Sequence, residues 1–185
     1  MFKKNYEKLK SILQRPEMQA ALADNNLFEV YSFASMLSPD LTEFLYENNI
    51  NPFDYLEEVP NYMFKDWGSL DFIDLTGMNS IGSNAFENCN SLKYVKMDDV
   101  TAIYDEAFKG CVSLEEITIP DTCKEIWDSA FAWCLNLKRV IMPKSVLEIG
   151  NNVFGGCDTD LTIVCEEDSA AYHYAKDYGF KIELI

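Results

Sequence analysis

At 185 residues, with 48% hydrophobic and 14% aromatic side chains, the chain carries enough apolar surface to offset its ordering entropy and is not a disordered polymer. Its formal charge of -16 repels phosphate backbones, which argues against direct nucleic-acid binding and favours a basic protein partner. No run of roughly 18 apolar residues marks a membrane-spanning helix. The opening Met1-Phe2-Lys3-Lys4 leads into a charged amphipathic stretch instead of an apolar signal segment, so a cytoplasmic location with no membrane partner is expected.

Residues 1–57 do not repeat and read as a helical N-terminal cap. Tyr6, Leu9, Ile12 and Leu13 fall on one face at helical spacing. Pro16 suits the first turn of a second helix, and a third run covers 27–37. Ser38-Pro39-Asp40 and Asn51-Pro52 are N-terminal signatures for two further short helices. Such a head has a physical task, because the end of a repeat stack exposes an apolar cross-section that an atypical segment must cover.

From residue 58 to 166 one pattern recurs. It runs Ile81, Phe86, Cys89, Leu92, Val95, Met97; then Ile103, Phe108, Cys111, Leu114, Ile117, Ile119; then Ile126, Phe131, Cys134, Leu137, Val140, Met142. The step is 22 residues, then 23. A fourth copy starts at Ile149 with one extra residue before Leu161, and a degenerate copy beginning at Val59 precedes them all. Fixed-period self-similarity of this kind defines a stacked solenoid. Within each copy, the Leu-x-x-aliphatic-x-aliphatic run alternates as a strand does, with Tyr94 and Lys96 outward and Val95 and Met97 inward. The phenylalanines would stack into one column in the core. Residues 167–185 form a C-terminal cap: Ser169 as N-cap, a short helix through Tyr178, Gly179 to close it, and a last strand from Phe180.

The six cysteines occupy apolar repeat positions. Equivalent positions on stacked repeats form a line at about strand spacing, whereas zinc needs ligands that converge, so buried, reduced thiols are expected in place of a metal site or disulfides. No cofactor is expected. His173 lacks a nucleophilic partner, and no phosphate loop or nucleophile elbow is present, so an enzyme is not expected.

The units IGSNAFENCNSLKYVKM, IYDEAFKGCVSLEEITIP and IWDSAFAWCLNLKRVIMP, closed by SAAYHYAKDYGFKI, resemble the BspA-type leucine-rich repeat family. The resemblance covers about residues 59–185. It implies a right-handed α/β repeat solenoid with short parallel strands on one face and turns on the other, and a protein-binding role without defining catalytic residues. Some members of the family occur in phages and mobile elements.

Two surfaces are candidate contact sites. On the strand face, Phe72, Tyr94, Lys96, Glu116 and Arg139 lie in columns in which opposite charges would meet between repeats, with the aromatic pair as anchors and Arg139 as a directional donor. On the turns, Tyr104 and Trp127 replace the glycines of sister copies (Gly82, Gly150), and Trp133 replaces Gly110 and Gly156. Glycine there signals a positive φ or a close approach, so these bulky replacements need compensation, by packing or by a partner. The acidic residues, among them Asp98, Asp105, Glu106, Asp128 and Glu148, segregate to the flank between strand and turn. The expected function is a non-enzymatic protein-interaction module. An alternative is a phage or mobile-element inhibitor whose acidic flank occupies a nucleic-acid-binding groove of a host protein.

Overall fold

A computed structural model describes residues 57–185; the expected helical head falls on residues outside the described range. The described chain is a parallel-strand solenoid in which each repeat contributes one strand to each of two walls. One wall is built from β1 (Glu58–Val59), β3 (Ser80–Ile81), β5 (Ala102–Ile103), β7 (Glu125–Ile126) and β9 (Glu148–Ile149), joined in that order. The other carries the repeated aliphatic run: β2 (Phe72–Asp74), β4 (Tyr94–Lys96), β6 (Glu116–Thr118), β8 (Arg139–Ile141) and β10 (Thr162–Cys165). The second wall is continued by β11 (Lys181–Leu184), which pairs parallel to β10 after helix α1 (Ala170–Tyr178). The recurring isoleucines Ile81, Ile103, Ile126 and Ile149 sit in the first wall's two-residue strands. Stacked copies bring their backbones into register there, for example Ile81 opposite Ile103 and Ile103 opposite Ile126.

The core between the walls is the repeat pattern in cross-section. Phe64, Phe86, Phe108, Phe131 and Phe154 are fully buried and form a column with ring centroids 5.1, 5.0, 5.2 and 5.7 Å apart and nearly parallel planes. Beside it runs a column of thiols. The Sγ–H of Cys89, Cys111, Cys134 and Cys157 donates to the carbonyl of Phe64, Phe86, Phe108 and Phe131 respectively, one repeat earlier, at 3.0 to 3.2 Å. All six cysteines are free. Burial pushes the Cys89 thiol up to about 12 and Cys157 to about 11, so these groups are neutral donors.

The turns between the walls also stack. Phe64, Phe86 and Phe108 each donate a backbone N–H to the carbonyl of an alanine in the next repeat, at 2.7 to 2.8 Å, and Asn84 and Asn88 do the same to Asp105 and Lys109. Alternate N–H groups run along the stack while those between them close local turns, such as Ala85 to Gly82 and Glu87 to Asn84, and each turn holds two left-handed positions. Tyr62, Asn84, Glu106, Ser129 and Asn152 hold the first, with φ between 50 and 62°. Asp66, Asn88, Gly110, Trp133 and Gly156 hold the second. Asparagine, aspartate and glycine are the residues that tolerate this conformation best.

Helix α1 closes the C-terminal end as expected. The Ser169 hydroxyl accepts from the Tyr172 N–H, and Gly179 adopts the left-handed conformation that ends the helix. Its buried face presents Ala171, Tyr174 and Ala175. Tyr174 and Phe180 both meet Phe154 edge-on at 6.0 Å, so they terminate the aromatic column.

Candidate partner-binding site

On the strand wall the in-register pair Phe72 and Tyr94 is exposed, 43% and 69% respectively. Lys96, two residues on, is held by Asp74 at 3.2 Å, by Asp98 at 3.4 Å and by the Thr76 hydroxyl at 2.8 Å. The Asp74 hydrogen bond raises the Lys96 ammonium above its ordinary value, and hydrogen bonds from Thr76 hold the Asp74 carboxyl below its own. Arg139 is not the free directional donor expected from its column. Its guanidinium forms a two-pronged pair with Glu183, at 2.6 and 2.9 Å, and only its Nε approaches Glu116, at 3.8 Å. Glu183 reaches it diagonally across β10, a partner visible only once β11 is known to join this wall.

The expected columns, with neighbours one strand spacing apart, hold except at one place. Among the described residues no backbone hydrogen bond joins β4 to β6, so the strand wall is two sheets, β2-β4 and β6-β8-β10-β11. The first wall stays continuous behind the break. The break falls where the link from strand to turn changes length. Before it the links are Leu75 to Met78 and Met97 to Val100; after it they are Ile119 to Cys123 and Met142 to Val146, one residue longer and containing Pro120 or Pro143. The short link at Leu75 closes by a bond from Met78 N–H to the Leu75 carbonyl, whereas the long ones close on the proline carbonyls. Strands leaving by the two routes pair with their own kind.

The result is a cleft of about 450 Å³ lined by Lys93, Tyr94, Val95, Ser113, Glu115, Glu116 and Thr118. Val95 is only half-buried, while its equivalents Ile73, Ile117, Val140 and Ile163 are buried. One lip thus carries Lys93 and Tyr94, the other Glu115 and Glu116, over an aliphatic floor. Of the lining residues, Lys93, Tyr94, Glu115, Glu116 and Thr118 were legible as outward column residues; the gap between their columns was not. That gap could have been found from the change in link length.

The turn aromatics form separate features. Tyr104 and Trp127 meet at 5.8 Å, and the Trp127 indole donates to Glu125 at 3.1 Å, leaving the ring 44% exposed. The glycines that they replace serve a close approach: a Cβ on Gly82 would lie 2.6 Å from the Asn61 backbone nitrogen, and one on Gly150 would lie 2.6 Å from that of Asp128. There the Asn61 or Asp128 side chain folds over to accept from the N–H of Ser83 or Asn151. Trp133 occupies its glycine position with the same left-handed backbone, φ 61°, and its ring covers Gly156, where a Cβ would sit 2.7 Å from the indole carbons.

Part of the acidic flank is neutralised within the protein. Asp98 lies 3.4 Å from the Lys96 ammonium, and Glu106 pairs with Lys109 at 2.8 Å. Among the described residues no three histidine, cysteine or acidic side chains converge as a metal site. His173 is exposed on α1, edge-on to Tyr172.

The chain belongs to the BspA-type leucine-rich repeat family, whose model matches six copies over residues 57–174, one more than the five repeats read from the sequence. It is similar in structure to a leucine-rich repeat protein from Bacteroides ovatus, at 31% identity and a TM-score of 0.58 over 66% of this chain and 32% of that one. A leucine rich repeat protein from T. pallidum matches at 33% identity and TM-score 0.56, over 58% of this chain and 51% of that one. A leucine rich cell surface protein from Faecalibacterium prausnitzii gives 30% and 0.58, over 64% and 32%. The chain therefore spans a third to a half of the length of these structures. No curated protein matches it at a significant level.

Proposed function

We propose that this chain is a non-enzymatic protein-interaction module that holds a protein partner on its strand wall, with Phe72, Tyr94 and Glu116 at the centre. The observation that carries this reading is the exposed in-register pair Phe72 and Tyr94, of which Tyr94 stands at the lip of the cleft. Aromatic side chains beside a partly apolar recess are the usual energetic centre of a protein interface. The carboxylates of Glu115 and Glu116 and the overall charge of -16 suit a basic partner surface. The flank carries the weaker claim, since its Asp98 and Glu106 already have lysine partners.

The test is a comparison of variants in one capture and affinity assay with the full chain. Tyr94→Ala and Phe72→Ala should each weaken the captured partner about tenfold or more, the effect of removing an aromatic anchor, with the melting temperature unchanged. Loss of affinity on Trp127→Gly or Trp133→Gly, with Tyr94→Ala neutral, would move the contact to the turns. A steep fall in affinity with rising salt would support the flank and the alternative of a basic groove.

A further inference from the structure

The cleft between β4 and β6 has a backbone of defined polarity. In a parallel ladder each residue directs its N–H and C=O to one side and its neighbours to the other. The Leu75 N–H donates to the Lys96 carbonyl, so Lys96 faces β2 and Val95 faces away from it, toward β6. On the other lip, Arg139 N–H donates to Glu115, and Ile119 N–H donates to Ile141. Glu115 and Ile119 therefore face β8, and Glu116 and Thr118 face β4. The two lips thus present N–H and C=O groups of Val95, Glu116 and Thr118 to each other across a gap that no ladder closes. Facing strand edges of this kind are templates for pairing with another chain.

We infer that this cleft receives an extended segment of the partner as an additional parallel strand, and that it reads the tripeptide pattern basic-aliphatic-polar; this rests on the strand wall being the contact surface. The pattern follows from the columns. A residue inserted between Tyr94 and Glu116 points outward between a phenol ring and a carboxylate. An arginine satisfies both, by cation–π contact and by an ion pair. Glu116 is available for it, since Arg139 is committed to Glu183 and only approaches Glu116 at 3.8 Å. The next residue points inward between Val95 and Ile117, so it is aliphatic. The third lies outward between Lys96 and Thr118, where a threonine or serine fits. In parallel register the first and third residues bond Val95, and the central residue donates to the Glu116 carbonyl and accepts from the Thr118 N–H. β4 and β6 lie within 8 Å of each other, Cα to Cα, whereas two ladder steps span about 9.6 Å. Entry therefore parts the lips by at least about 1.6 Å, with the first wall acting as the hinge.

The probe is a synthetic blocked heptapeptide with Arg-Val-Thr at its centre, titrated into the isotope-labelled full chain. Binding should slow amide exchange at Val95 and Thr118. N-methylating the peptide's central valine, which deletes the donor aimed at Glu116, should abolish it. Glu116→Lys should weaken binding about tenfold or more, the loss of a charge-assisted contact, and replacing the peptide's arginine by glutamate should restore it. Absent binding at millimolar peptide, or binding indifferent to N-methylation, overturns strand insertion. If Tyr94→Ala nonetheless weakens a protein partner, the strand-wall reading stands without it. Protection of Val95 and Thr118 that grows with protein concentration alone would assign the cleft to a second copy of the chain and also overturn the inference.

Discussion

Trp133 shows how one residue can break a repeat's rule and be compensated by its neighbour. Its backbone holds φ 61°, a conformation that costs a side-chain-bearing residue about 1–2 kcal/mol. The ring recovers contact by lying on Gly156, which has no Cβ to obstruct it. Gly156→Ala should therefore suffer twice, from its own φ of 76° and from a collision with the indole, for a loss of about 2–4 kcal/mol. With Trp133→Gly already in place, only the backbone part remains. Denaturant unfolding of the two single variants and the double variant should give a coupling of about 1–2 kcal/mol. An equal cost of Gly156→Ala in both backgrounds would show that the ring does not rest on the glycine. The sequence marked Trp133 as needing compensation, since two of its sisters, Gly110 and Gly156, are glycines. It could not say which glycine supplied the space, because that depends on how turns one repeat apart are offset.

At the scale of elements, the strand wall, the phenylalanine column and α1 were legible because each repeats a simple rule or carries a local signal. The first wall was not, since strands of two residues have no alternation to read. The break between β4 and β6 was written in the link lengths, but its consequence required knowing that links of unlike length direct strands differently. Helix α1 was fully readable, from Ser169 through Gly179. Ser169 is buried; its hydroxyl accepts from Tyr172 N–H at 3.1 Å and donates to the Glu166 carbonyl at 2.7 Å. Ser169→Ala removes both bonds, and should cost about 1–2 kcal/mol. Because Tyr174 and Phe180 close the core only while α1 is docked, the loss should appear as a lower melting temperature of the whole solenoid. Fraying confined to the helix, with the global transition unmoved, would mean that the cap is not coupled to the stack.

At the scale of the molecule, the thiol column ties stability to pH on the alkaline side. Burial raises Cys89 to about 12 and Cys123 and Cys157 to about 11, from an ordinary value near 9. Burial also raises Cys111 and Cys134 well above that ordinary value, and the Tyr174 phenol to about 12. A group whose folded value lies above its unfolded one contributes stability that is fully present below the unfolded value and is lost as pH rises through the folded one. The stabilising effect of these neutral thiols is therefore complete below about pH 8.5 and declines between roughly pH 9 and 12. Each cysteine ionised in the unfolded chain but not in the folded one adds about 1.4 kcal/mol per pH unit to the slope. Several acting together should make alkaline unfolding steep. Cys111→Ala lowers stability at every pH by removing a packed side chain and the bond to Phe86, yet it should flatten the alkaline slope by about that single-group amount. Urea unfolding measured from pH 7 to 11 separates the two effects, the first as an offset and the second as a slope. An unchanged slope in the variant would mean that the thiols ionise as readily in the folded solenoid as in the unfolded chain, and that the column is not the sealed interior its hydrogen bonds describe.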